Sequence, residues 1–144
     1  MRVLFETNVI LDVLLARIPH VAPATALLDR VSAKTLDGLL GATTVTTIHY
    51  LATRTVGPRA AQGHIRTLLS MFEVAPVTRA VLTDALNLKF ADYEDAVLHE
   101  AARHAGAEAI VTRDAKGFSR GRLKLYAPDE LLRFLVAAPG GEAP

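Results

Sequence analysis

The residues best able to do chemistry in this chain are four carboxylates. Glu6 follows a short apolar run, residues 2–5, and Asp114 stands two residues after another, residues 109–112. Asp92 and Asp95 are spaced so that both fall on one face of the first turn of a helix. If the two apolar runs are neighbouring strands, the carboxylates that follow them share a crevice. Acids gathered that closely raise one another's pKa and do not all stay ionised without a cation. An all-oxygen donor set selects Mg²⁺ or Mn²⁺ over softer metals. The chemistry such a site serves is phosphodiester hydrolysis, in which the metal generates hydroxide and neutralises charge on the phosphate. Competing chemistries lack their residues. No Ser–His or Cys–His arrangement stands out, and the absence of cysteine removes disulfide scaffolds, zinc fingers, iron–sulfur clusters and thiol nucleophiles together. His99 and His104 miss the i, i+4 spacing of a zinc protease motif, while His20, His49 and His64 are isolated.

The apolar pattern supplies the elements that must position these groups. Strands are expected at residues 2–5, 36–42, 72–75, 109–112 and 123–126. Helical spacing is expected after Thr7, with Asn8 as its N-cap, and then from Pro19 to Ser32, over 43–54 and over 59–71. Further helices are expected from a Thr78 cap to Leu88, from Asp92 to His104 with Gly106 in the C′ position, and from Pro128 to Val136. Strands alternating with helices predict a parallel sheet covered on both faces, where ligands collect at the carboxyl ends of the strands near the topological switch point. On this reading the start of the 92–104 helix falls at the opposite end of a simple parallel unit, so Asp92 and Asp95 need a long connection to come beside Glu6.

Composition sets the outer bounds. At 144 residues, 51% hydrophobic and 22% charged, the chain suits one compact domain, expected over residues 1–136 with a flexible tail at 137–144. Asp12 and Arg133 interrupt the longest apolar stretches before they reach the roughly 18 residues of a membrane span. The first six residues are too short and too early charged for a signal peptide, so no membrane association and a cytoplasmic location are expected. A formal charge of +1 gives little global attraction for nucleic acid, leaving local clusters to supply it.

Three stretches carry a family resemblance. Phe5-Glu6-Thr7-Asn8-Val9-Ile10-Leu11-Asp12 resembles the opening of PIN-domain ribonucleases, Ala91-Asp92-Tyr93-Glu94-Asp95-Ala96-Val97 their central acidic helix start, and Ile110-Val111-Thr112-Arg113-Asp114-Ala115-Lys116-Gly117-Phe118 their last acidic motif. The likeness runs from Arg2 to about Leu135 with the motifs in the family's order, and the length resembles that of a VapC-type toxin from a VapBC toxin–antitoxin module. It implies an α/β, Rossmann-like three-layer α/β/α fold with a short parallel sheet of four to five strands. It also implies an Mg²⁺- or Mn²⁺-dependent endoribonuclease acting on tRNA, rRNA or mRNA, a homodimer, and a cognate antitoxin partner. Glu6, Asp95 and Asp114 take the catalytic, metal-binding positions, with Asn8, Thr47, Asp92, Glu94 and Thr112 as supporting neighbours. Arg113, Lys116 and Arg120 are candidates for holding RNA.

The chain departs from the family's pattern in three places. Glu6 stands where aspartate is usual, adding a methylene of about 1.5 Å in front of an ion that demands near-ideal geometry. Thr47 occupies the position of a second acid and Gly117 that of another. Attenuated activity is therefore expected, and a catalytically weakened PIN-like protein that binds RNA or a partner is the alternative. A receiver domain is a weaker reading, because Thr7-Asn8 does not supply the paired acids it needs after the first strand. Structural roles compete at single residues. Asp92 and Asp95 also suit helix capping, Glu6 a surface carboxylate, Asp114 a turn cap and Asp12 a structural role. The run Arg113, Lys116, Arg120, Arg122 and Lys124 suits either a solvated loop or phosphate contacts.

Overall fold

Val3, Leu4 and Phe5 are all fully buried, which only a strand covered on both faces achieves. In the computed structural model, which describes residues 1–137, this strand is the centre of a parallel sheet. The elements run β1 (Arg2–Phe5), α1 (Thr7–Leu14), α2 (Val21–Ser32), β2 (Asp37–Gly41), α3 (Ala42–Val56), α4 (Pro58–Met71) and β3 (Glu73–Ala75). There follow α5 (Arg79–Leu86), α6 (Tyr93–His104), β4 (Ala109–Val111), α7 (Ala115–Phe118), β5 (Lys124–Tyr126) and α8 (Pro128–Ala137). The five strands pair in parallel in the order β3-β2-β1-β4-β5. The chain winds outward from β1 to β3, then returns to β4 and β5, so the order reverses between β1 and β4. This is the expected three-layer α/β/α architecture, with the switch point between the two strands that precede Glu6 and Asp114.

Alternation along the strands divides the core. Val3, Phe5, Ala109 and Val111 face one layer, packed with Val9, Ile10, Leu27, Ile48, Leu68 and Leu131. Leu4 and Ile110 face the other, against Val81, Ala96, Val97, Ala101 and Phe118. Small alanines on α6 let it lie close to the sheet, and Leu98 fills the space where a side chain on Gly41 would stand. Thr78 caps α5 by accepting from the Val81 N–H, and Gly106 takes a left-handed φ of 80° after α6, both as expected. The four-residue α7 is the element that periodicity misses, because one turn carries no repeat. Of the expected tail, Ala137 still belongs to α8 and residues 138–144 lie outside the described residues. Among the described residues, no helix is long and apolar enough to cross a membrane.

Candidate active site

Glu6 leaves β1 and becomes the N-cap of α1, with extended backbone at φ −70° and ψ 150°. Its Oε2 accepts from the Asn8 N–H at 3.0 Å, which corrects the expectation that Asn8 caps this helix. Asn8 is instead an exposed residue of the first turn, with Oδ1 accepting from Arg17 at 3.3 Å. Glu6 Oε1 accepts from the buried Thr112 hydroxyl at 3.2 Å, and the same Thr112 oxygen accepts from the Asp114 N–H at 2.9 Å. One hydroxyl thus ties together the acids that follow β1 and β4. Asp114 caps α7, its Oδ1 accepting from the Gly117 N–H at 3.2 Å.

Asp95 reaches this crevice through the direction of its helix. In a parallel crossover the helix runs antiparallel to the strand it feeds, so the first turn of α6 begins at the carboxyl edge of β4. The expectation that it starts at the opposite end has the helix direction reversed. A Cβ on Gly117 would stand 2.7 Å from Asp114 Oδ2 and 3.2 Å from Asp95 Oδ2, so the two carboxylates flank one small gap that the glycine leaves open. Burial pushes the Asp95 carboxyl up to about 6, and the charges of Asp92, Glu6, Asp114 and Glu94 add to it. Glu6 is also raised by its burial, against hydrogen bonds from Asn8 and Thr112 and the charge of Arg113. Asp92 is the N-cap of α6, accepting from the Glu94 N–H at 2.8 Å, and Glu94 is exposed. Asp92 therefore caps the helix while its charge acts on Asp95.

Thr47 lies half-buried on α3, and among the described residues its hydroxyl makes no hydrogen bond. Thr44, one turn earlier and buried, reaches α1 with its hydroxyl 2.9 Å from that of Thr7. Arg113 is committed elsewhere: its guanidinium grips the fully buried Asp12 through Nε at 2.6 Å and a terminal nitrogen at 3.1 Å. Lys116 and Arg120 line an open groove of about 690 Å³ with Lys89, Phe90 and Asp114. Sequence reasoning missed the Thr7–Thr44 contact and Lys89, and neither has a local signal.

A family model described as PIN domain matches residues 2–116. The chain belongs to the PIN domain family. No curated protein matches its sequence, but its fold is shared with solved toxin–antitoxin structures. VapBC2 from Rickettsia felis, bound to a DNA fragment from its promoter, is 16% identical with a TM-score of 0.70, covering 88% of this chain and 98% of that one. A toxin–antitoxin complex from Klebsiella pneumoniae is 19% identical with a TM-score of 0.67, over 88% and 97%. Mycobacterium tuberculosis VapC20, a sarcin–ricin loop cleaving toxin, is 17% identical with a TM-score of 0.66, over 85% and 97%.

In this PIN domain the tightest group of metal-ligating side chains, among the described residues, lies away from the crevice. Donor atoms of Asp84, Glu100 and His104 all fall within 4.8 Å of one another. A guanidinium already serves them: Arg103 donates to Glu100 at 2.8 Å and to Asp84 at 3.2 Å, and His104 pairs with Asp84 at 2.7 Å. The group is an ion-pair network joining α5 to α6. Glu6, Asp95 and Asp114 are spread more widely. Their all-oxygen chemistry, the elevated Asp95 carboxyl and the open gap at Gly117 nonetheless fit a hard divalent ion that keeps part of its water shell.

Proposed function

We propose that this PIN domain is an Mg²⁺- or Mn²⁺-dependent endoribonuclease that hydrolyses RNA phosphodiester bonds as the toxin of a VapBC-type module. The observation that carries this reading is the meeting of Asp95 and Asp114 across Gly117 at the switch point, beside Glu6, with Asp95 short of a counter-charge. Glu6, Asp95 and Asp114 would hold the ion, which when bound acidifies a water and offsets charge on the phosphate. Thr112 keeps Glu6 and Asp114 in register, while Lys116 and Arg120 hold RNA phosphates along the groove. Arg113 acts through Asp12 rather than on RNA. The proposed partners are a second copy of the chain and a cognate antitoxin. Exposed Leu82, Leu86 and Tyr93, beside the acidic start of α6, support a protein partner. A cytoplasmic location goes with this reading.

Both Glu6 oxygens are engaged by α1 and Thr112, which also favours the second reading of a weakened nuclease that binds RNA or a partner. Incubation with total tRNA and rRNA decides between them. Cleavage with Mn²⁺ that stops on chelation supports the nuclease. Intact RNA with an Mn²⁺-induced rise in melting temperature supports the weakened form. Neither response overturns both.

Glu6→Asp is expected to raise Mn²⁺-dependent cleavage by about tenfold, equivalent to about 1.4 kcal/mol of barrier, because the shorter acid still suits the N-cap and removes the extra methylene in front of an ion that demands near-ideal geometry. Glu6→Gln should eliminate cleavage. Unchanged rates in both variants place Glu6 outside the site.

A further inference from the structure

The groove beside Asp114 has two walls. One is the connection from α5 to α6, which carries Lys89 and Phe90; the other is the segment from α7 to β5, which carries Ser119 and Arg120. His99 stands between them, fully buried on α6 one turn beyond Asp95. The Phe90 ring meets its imidazole edge-on, with centroids 5.5 Å apart. From the segment between α7 and β5 the Leu123 N–H donates to Nε2 at 3.2 Å. A Cβ on Gly121 would lie 2.3 Å from that same nitrogen, so the imidazole occupies the space a side chain there would need.

The ring cannot turn freely in this pocket. An Nε2 that accepts from Leu123 leaves the proton on Nδ1, which donates to Glu100 Oε2 at 2.7 Å. The other Glu100 oxygen is held by Arg103 at 3.0 and 2.8 Å. Burial pushes the Glu100 carboxyl up, but hydrogen bonds from Arg103 and His99 outweigh it and hold the group below its ordinary value. The imidazole thus touches both groove walls, Phe90 on one and Gly121 and Leu123 on the other, while Glu100 of its own helix fixes the proton on Nδ1.

We propose that His99 is a positioning residue: it sets the separation of the two walls and, through Lys89 and Arg120, the grip of the groove on single-stranded RNA. The RNA part rests on the nuclease reading above; the structural part does not.

Three substitutions test it. His99→Leu removes the acceptor and keeps an apolar body, His99→Gln returns an oxygen near the Nε2 position, and Gly121→Ala drives a methyl at the ring from the far side. Amide exchange at Leu123 reports the wall directly, and anisotropy of a fluorescein-labelled mixed-sequence single-stranded RNA in chelator reports binding. His99→Leu and Gly121→Ala are each expected to speed Leu123 exchange and weaken RNA binding by about tenfold. In cleavage assays KM should rise in parallel with kcat held, and His99→Gln should recover most of both losses. Unchanged exchange and affinity in a folded His99→Leu variant overturn the proposal, as does His99→Gln performing no better than leucine, or a loss confined to kcat. If His99→Leu does not fold, Gly121→Ala carries the same test. If the parent binds no RNA, the nuclease reading fails, and Leu123 exchange alone decides whether His99 holds the wall.

Discussion

Asp95→Asn is expected to lower Mn²⁺-dependent RNA cleavage by about a hundredfold or more while making the metal-free protein more stable at neutral pH. The second effect follows from the elevated carboxyl. Its folded-state value of about 6 lies above the ordinary 3.8, so between those values the folded chain holds a proton that the unfolded chain has lost. The stability this contributes is fully present below about pH 4 and is lost as pH rises through about 6. Above that, a partly buried charge faces Asp92, Glu6 and Asp114 without compensation. After discounting for solvent screening, the cost is on the order of 1–2 kcal/mol, a shift of several degrees in melting temperature. Thermal melts of both proteins across this range should show a downward slope in the parent that the asparagine variant lacks, and an Mn²⁺-induced rise confined to the parent. Equal metal responses would remove Asp95 from the site. A loss of about 1 kcal/mol at every pH would mark it as part of the helix cap alone.

Asp12→Ala should destabilise the fold by about 3 kcal/mol. The carboxylate is 0% exposed and bridges Arg113 and, at 3.6 Å, Arg17. Truncation leaves both guanidinium groups without their buried counter-charge. Arg113 keeps part of its surface in water and recovers some hydration, which holds the loss toward the lower end of the range for broken buried pairs. Urea titration should show a lower midpoint with an unchanged slope, and Asp12→Asn should lose less because its amide oxygen still accepts from Arg113. A change below about 0.5 kcal/mol would mean that the pair merely occupies a tolerant surface position.

Glu6 and Asp114 were readable because each follows a strand whose apolar run is unmistakable, and parallel sheets gather such positions at one edge. Asp95 stands out by its type and spacing, but only the direction of α6, antiparallel to β4, puts it at the carboxyl edge of the sheet. The sequence points to Asn8 rather than Glu6 as the N-cap because glutamate is a less usual cap than asparagine. Arg113 looked like one more cation in a basic run, since its partner Asp12 lies 101 residues away and no local signal joins them. His99 was equally opaque. Its contacts are to Phe90, Gly121 and Leu123, and only folding shows that an unremarkable glycine is the space its ring requires.

The bond between Thr112 and Glu6 spans 106 residues of chain. During synthesis, β1 therefore emerges long before β4 exists to lie beside it, and the first acid waits exposed with no companion from the last motif. A ribosome-bound fragment that ends before Asp114 carries no assembled crevice, however well its early helices form. Closure of the sheet by β4 thus makes the crevice a late product of synthesis, in which only a chain extended past Asp114 brings these carboxylates together.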